Sequence, residues 1–292
     1  MTVPIAASMT LLRPVPALPM APLLIYLPGM DGMGTLFATQ IPHLANHLTI
    51  RCLAIAPDRA ADWPTLAQEL AKLIHREQRQ TPQRPVYLCG ESFGACLALQ
   101  LAMQMPTGVD RLILVNPASC LQRQPWLHGS GWLTQALPPW AYDLACLGLV
   151  QLLVNRERVT AAAYHTLLRT VRSLPQATVA GRLEQLRQFA PSAQALRQIR
   201  QPTLILASGG DRLLPSLAEA AYLQRHLPQA RSHQLPHSGH ACLLEPQVNL
   251  AVILAQYGWL VPQHPAATFN PSGGVSRFGP AHQGDRATVV SQ

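Results

Sequence analysis

The chain has 292 residues, 48% hydrophobic and only 12% charged, enough apolar material to bury one large core. Its formal net charge of +8 comes from scattered basic residues, mostly Arg, with no basic run interleaved with aromatics, which argues against a nucleic-acid surface. Six cysteines (Cys52, Cys89, Cys96, Cys120, Cys146, Cys242) lack CxxC spacing and secreted-scaffold density, which argues against a disulfide framework or metal cluster and for buried free thiols in a reducing compartment.

Residues 1–21 lack an early positive region and are broken by Pro4, Pro14, Pro16 and Pro19, so the expectation there is a flexible segment rather than a secretory leader. Leu23–Leu27 (LLIYL) reads as a short buried strand that stops at the glycine-rich loop PGMDGMG. A second strand over Ile50–Ala56 precedes a helix in DWPTLAQELAKLIHREQ. Asp62 stands at its N-cap, and Trp63, Leu66, Ala67, Leu70, Leu73 and Ile74 recur at helical spacing. The run Val86–Cys89 reads as a strand buried on both faces, and a helix follows Ser92 as far as Pro106. Another strand is expected over Leu112–Val115. Alternation of strand, loop and helix in this order implies a mostly parallel sheet with helices on its faces, which sets residues 22–119 as the first part of an α/β core.

That alternation is lost over residues 120–200. Helices are expected at Tyr142–Val154, Thr160–Val171 and Gln176–Phe189, and the segment reads as a helical cap inserted between two strands. The most apolar window, Trp140–Val154, contains Asp143 and Gln151 and falls short of the roughly 20 residues a spanning helix needs. Residues 201–260 resume the core with a strand at Pro202–Ala207, the loop SGGDRLLP, a helix over Ser216–Leu227, a strand RSHQL and a helix near Gln247–Tyr257. Residues 261–292, rich in Pro, Gly, Ser and His, are expected to be disordered.

Chemistry concentrates in Gly90-Glu91-Ser92-Phe93-Gly94. This G-x-S-x-G pattern, set between a buried strand and a helix, is what a sharp turn requires if it is to lift a serine above the edge of a sheet. Residues two before and two after the serine must be tiny, hence Gly90 and Gly94. A serine hydroxyl is a poor nucleophile until a base takes its proton and a third group orients that base. Asp211, after the resumed strand, and His240, in HSGHACLLEP, follow Ser92 in the chain order this architecture uses. Taken singly, Asp211 reads equally as a turn aspartate and His240 as a loop histidine. His237 is the rival base, ranked lower because an apolar segment after His240 can pin its imidazole. His43, His75 and His165 read as surface residues. The oxyanion donors expected are the backbone amides of Phe93 and Met30. Asp31 reads either as a brace for the Met30 loop or as a turn residue, and Glu91 carries no assigned role. No nucleotide-binding glycine pattern or ligand cluster points to a cofactor or metal.

With these residues in place the sequence resembles an α/β-hydrolase. More narrowly, it is similar to the hydrolase-like part of the phytyl ester synthase/diacylglycerol acyltransferase family. The matching pieces are YLPGMDGMG at 26–34, CLAIAPDR at 52–59, YLCGESFGACLALQLA at 87–102, LILVNPAS at 112–119, TLILASGGDRLLPSLAEA at 203–220 and SGHACLLE at 238–245. The resemblance implies transfer of an acyl group through an acyl-enzyme on Ser92, with Asp211 and His240 at the family's triad positions. The donor would be an acyl-carrier protein, acyl-CoA or acyl lipid, and the acceptor phytol or diacylglycerol. One departure is that no histidine here has an aspartate five places later, as in the H-x4-D segment of the plant members. Hydrolysis as an esterase, lipase or thioesterase is therefore the alternative. A small-substrate hydrolase or peptidase is a second, and a binding protein without catalysis a third, which the complete set of triad residues argues against. Trp126, Trp132 and Trp140 in the cap suit a long acyl chain or ordinary packing. The expected location is cytoplasmic, either free or in peripheral contact with a membrane surface.

Overall fold

The computed structural model describes residues 9–57, 61–124 and 130–260. Seven strands form one sheet in the order β1-β3-β2-β4-β5-β6-β7: β1 (Met9–Leu12), β2 (Leu23–Leu27), β3 (Thr49–Ile55), β4 (Val86–Glu91), β5 (Arg111–Val115), β6 (Thr203–Ser208) and β7 (Ala230–Leu235). All neighbours pair in parallel except β1, which runs antiparallel to β3 at the edge, with Met9 opposite Ile55.

Burial on both faces explains why the central strands are largely apolar on both sides. In β2, Leu23, Ile25 and Leu27 face one core while Leu24 and Tyr26 face the other; in β4, Val86 and Leu88 oppose Tyr87 and Cys89. The first core is covered by α2 (Trp63–Gln80), α3 (Phe93–Gln104), α8 (Ala193–Arg197) and α9 (Ser216–His226), the second by α1 (Ile41–Leu44) and α10 (Leu250–Gln256). Both faces of the sheet are thus buried, as parallel strands require. In α2 the stripe Trp63, Leu66, Ala67, Leu70, Ile74 is buried, and Asp62 caps the helix by accepting from the Thr65 amide at 2.9 Å.

Between β5 and β6 the chain leaves the sheet and builds a helical layer. It comprises α4 (Ser130–Ala136), α5 (Pro139–Leu153), α6 (Ala161–Ser173) and α7 (Gln176–Gln188), with α8 leading back to the core. This layer has a small core of its own, Cys146, Val150, Val154, Val159 and Leu167, closed against Ala241 and Leu244. α7 is fastened to the α/β body: Trp63 Nε1 donates to the Gln185 carbonyl at 2.7 Å and Thr178 Oγ1 to the Pro57 carbonyl at 2.8 Å.

Two expectations need correction. The segment 1–21, read as flexible, supplies β1, because Met9–Leu12 finds in β3 an edge that offers backbone partners despite the prolines that follow. The last helix starts at Leu250, not near Gln247. Cys242–Leu244 form a separate 3-10 turn, and Asn249 caps α10 by accepting from the Val252 amide. Trp126 and the tail over 261–292 lie outside the described residues.

Candidate active site

β4 ends at Glu91 and α3 begins at Phe93, so Ser92 is the single joint between them. Its backbone is held at φ 52°, a conformation a side chain rarely adopts, by the Ser92 amide donating to Val115 and the Ser92 carbonyl accepting from Ala95 and Ala118. The two glycines have measurable reasons. A Cβ on Gly90 would come within 2.3 Å of the Gly94 carbonyl oxygen, and one on Gly94 within 2.1 Å of the Leu27 oxygen. Both obstacles are backbone and cannot swing aside.

Loops at the carboxyl ends of the neighbouring strands bring the partners. His240, in the loop after β7, places Nε2 2.9 Å from Ser92 Oγ. Its Nδ1 lies 2.7 Å from Oδ2 of Asp211, in the loop after β6, and both side chains are buried. Asp211 also accepts from the amides of Leu213 and Leu214 and from the Ser216 hydroxyl. Burial would push this carboxyl up, but His240, Ser216 and Leu214 together hold it below its ordinary value, so it stays ionised. The three side chains called from sequence therefore meet in one hydrogen-bonded line. His237 is exposed, and among the described residues no hydrogen bond joins its side chain to that line; its carbonyl accepts from Asn155.

Two groups found only in the structure fix the histidine loop. Asn116, itself at φ 42°, donates to the His240 carbonyl at 2.6 Å and to Ser208 Oγ at 2.9 Å, while its own oxygen accepts from the Ser208 amide. Fully buried Glu245 accepts from Ser238 Oγ and the Gly239 amide at 2.8 Å each and from Arg158 of the cap at 2.6 Å. No periodicity announces either; only the pieces NPAS and HACLLE carry them.

The loop after β2 lies over Ser92. A Cβ on Gly29 would sit 3.8 Å from the serine Cβ, and Met30 and Asp31 line the same space. Asp31 does brace the loop, accepting from the Met33 amide at 3.1 Å. Burial raises its carboxyl, opposed by that amide and by Arg182. Arg182, a buried cap residue on α7, donates to the Met30 carbonyl and so ties the loop to the cap. Phe93 opens α3, where an amide has no acceptor within the helix, and is therefore free for an outside oxygen. Glu91 faces inward, buried, with the Tyr26 hydroxyl donating to it.

Above this line opens a cavity of about 510 Å³. Ser92 and His240 form its floor, and its walls come from α5 (Leu149, Leu153), α6 (Leu167, Val171) and α7 (Leu183, Leu186). A sheet of this order with a serine elbow at its centre, an ionised aspartate and a histidine at its strand ends, and a capping helical layer defines the α/β-hydrolase class. The family description "alpha/beta hydrolase fold" matches residues 22–247, and the chain belongs to that family.

Among curated relatives the chain is similar to Phytyl ester synthase 1, chloroplastic, from Arabidopsis thaliana, at 30% identity over 82% of this chain and 37% of that one. It is also similar to pimeloyl-acyl-carrier-protein methyl ester esterase from Aromatoleum aromaticum, at 29% identity over 80% of this chain and 96% of that one. The chain therefore spans little more than a third of the phytyl ester synthase. Among solved structures, an esterase from Exiguobacterium antarcticum superposes with a TM-score of 0.70 over 85% of this chain and 94% of that one, at 17% identity, a likeness of fold.

Proposed function

We propose that the protein is a serine acyl-ester enzyme that takes a long acyl group onto Ser92 and passes it to a lipid alcohol of the phytol or diacylglycerol type. The observation that carries this reading is the apolar cavity of about 510 Å³ that ends on Ser92 and His240. Its size falls within the ~300–1,000 Å³ of small-ligand sites, and its walls are mostly apolar, with leucines predominating. The names of the plant relatives agree with an ester-forming reaction.

In this mechanism Ser92 Oγ attacks the acyl carbonyl while His240 Nε2 takes its proton, and Asp211 stabilises the imidazolium through Nδ1. The amides of Phe93 and Met30 stabilise the oxyanion of the tetrahedral intermediate. That intermediate collapses as His240 returns the proton to the leaving group. The acceptor hydroxyl then enters the same path, loses its proton to His240 and attacks the acyl-enzyme. Water in its place gives hydrolysis. This second reading is favoured by the compact esterase from Aromatoleum aromaticum, which this chain matches over 96% of its length.

The deciding experiment supplies a labelled long-chain acyl donor with and without phytol or diacylglycerol, and separates free acid from new ester for the wild type and Ser92→Ala. Ester in excess of acid, lost in Ser92→Ala, supports the transferase. Acid alone makes the protein a hydrolase, and turnover unchanged in Ser92→Ala overturns the mechanism.

A further inference from the structure

Helix α5 has two apolar sides. One carries Cys146, Leu149, Val150 and Leu153 into the cap interior and the cavity wall. The other leaves Trp140 (68% exposed), Leu144 (59%) and Leu147 (41%) in solvent at helical spacing. Between the two sides, Ala145, Gly148 and Leu152 are exposed and also line the cavity, so the rim of the acyl site runs along this helix. The preceding helix, α4, packs closely on α7 at Gly131, where a Cβ would meet the Ala180 oxygen at 3.1 Å, and leaves Trp132 (77% exposed) and Leu133 uncovered.

An exposed apolar patch of this kind is costly in water and marks an interaction surface. Its chemistry selects the partner. Two exposed tryptophans suit a boundary that is apolar on one side and wet on the other. Flanking α5, Arg169, Arg172 and His165 of α6 line a shallow depression whose acid, Asp143, lies 3.9 Å from Arg172. The chain as a whole carries +8. The patch also continues into the cavity, so whatever covers it faces the entrance for the acyl chain. Among the described residues no helix is long and apolar enough to cross a membrane, so contact of this kind is peripheral.

We propose that the outer face of α4 and α5 docks on an anionic lipid surface, with Trp132, Trp140, Leu144 and Leu147 entering the acyl layer and Arg169 and Arg172 meeting the headgroups. Lipid then reaches Ser92 along α5 without crossing water. This deepens the acyl-lipid reading above and rests on it for its purpose, although docking itself involves no catalysis.

The test floats the full-length chain with vesicles of phosphatidylcholine alone or with phosphatidylglycerol. Three proteins are compared: wild type, Trp140→Asp with Leu144→Asp, and Arg169→Ala with Arg172→Ala. Turnover of a soluble short-chain ester is read in parallel. The expected result is wild-type flotation with the anionic vesicles, at least roughly tenfold weaker in the apolar pair and weaker by about tenfold in the arginine pair. Short-ester turnover should be retained in both variants. Absence of wild-type binding, or binding that neither pair weakens, overturns the proposal. So does a wild type that fails to float and runs as a dimer made monomeric by the apolar pair, since a second copy would then be the occupant. Loss of long-chain transfer with intact flotation would instead defeat the acyl-lipid reading alone.

Discussion

Glu91 sits one residue before the candidate nucleophile, buried, with Tyr26 donating to it and Asp31 and His240 close enough to act on its charge. Burial pushes its carboxyl from 4.5 up to about 7, partly opposed by the Tyr26 hydrogen bond and His240 and reinforced by Asp31. A carboxyl that binds its proton more tightly folded than unfolded stabilises the fold fully below about pH 4.5, and that contribution is lost as pH rises through 7. Asp211 has the opposite sign, but its window lies below its ordinary value of 3.8 and so outside the neutral range. Glu91→Gln, which can still accept from Tyr26, should therefore flatten the fall in stability between pH 5 and pH 8. At the upper end it should gain up to about 3 kcal/mol, measured by urea unfolding at both pH values. An unchanged slope would show that Glu91 does not carry it. This residue was present in the sequence yet mute: its partner Tyr26 lies on another strand, 65 residues away, and one-dimensional spacing holds no trace of such a pair. Ser92, Asp211 and His240 were legible because turn sterics and chain order mark them before any contact is known.

At the scale of elements, the strands and most helices could be read because burial on both faces or on one stripe leaves a periodic residue pattern, as in β2, β4 and α2. β1 could not be read, since four residues between prolines carry no period and only their pairing with β3 makes them a strand. The cap was legible as helices but not as a clamp. The cap holds both active-site loops: Arg182 of α7 grips the Met30 carbonyl, the Leu153 carbonyl of α5 accepts from the Ala241 amide at 2.8 Å, and Arg158, in the turn between α5 and α6, pairs with Glu245. Glu245 is the more exacting link, because its side chain is wholly buried and three donors converge on it. Arg158→Ala would leave that carboxylate buried without its cation, at a cost of about 3 kcal/mol. Loosening of the Ser238–Ala241 loop should lower turnover further than the loss of stability explains. Denaturant unfolding set beside kcat at a temperature where the variant is fully folded separates the two effects, and unchanged kcat would leave Arg158 a purely structural tie.

For the whole molecule, the proposed reaction would draw its chemistry from the loops of the sheet and much of its selection from the cap. The reactive side chains stand on loops at the carboxyl ends of parallel strands, where β2, β3 and β4 mark the point at which the strand order reverses, the usual place for a ligand in such a sheet. The walls that would meet the acyl chain come in large part from α5, α6 and α7, with Leu36, Leu213 and Leu214 added by the α/β body. Chain-length preference should then depend chiefly on the cap. Each methylene that leaves water for these walls contributes about 0.8 kcal/mol, so kcat/KM for a homologous series of acyl esters should climb by about three- to fourfold per carbon until the cavity is full, then level off. Leu183 lines the cavity from α7, the helix fastened to the α/β body, so a larger side chain there cannot be relieved by the cap lifting away. Leu183→Trp should shift the plateau to shorter chains by a few carbons while short esters turn over as in the wild type. A rate that ignores chain length in the wild type would mean that the acyl group does not lie in this cavity, and the site would have to take a small substrate at Ser92 with the cap serving another purpose.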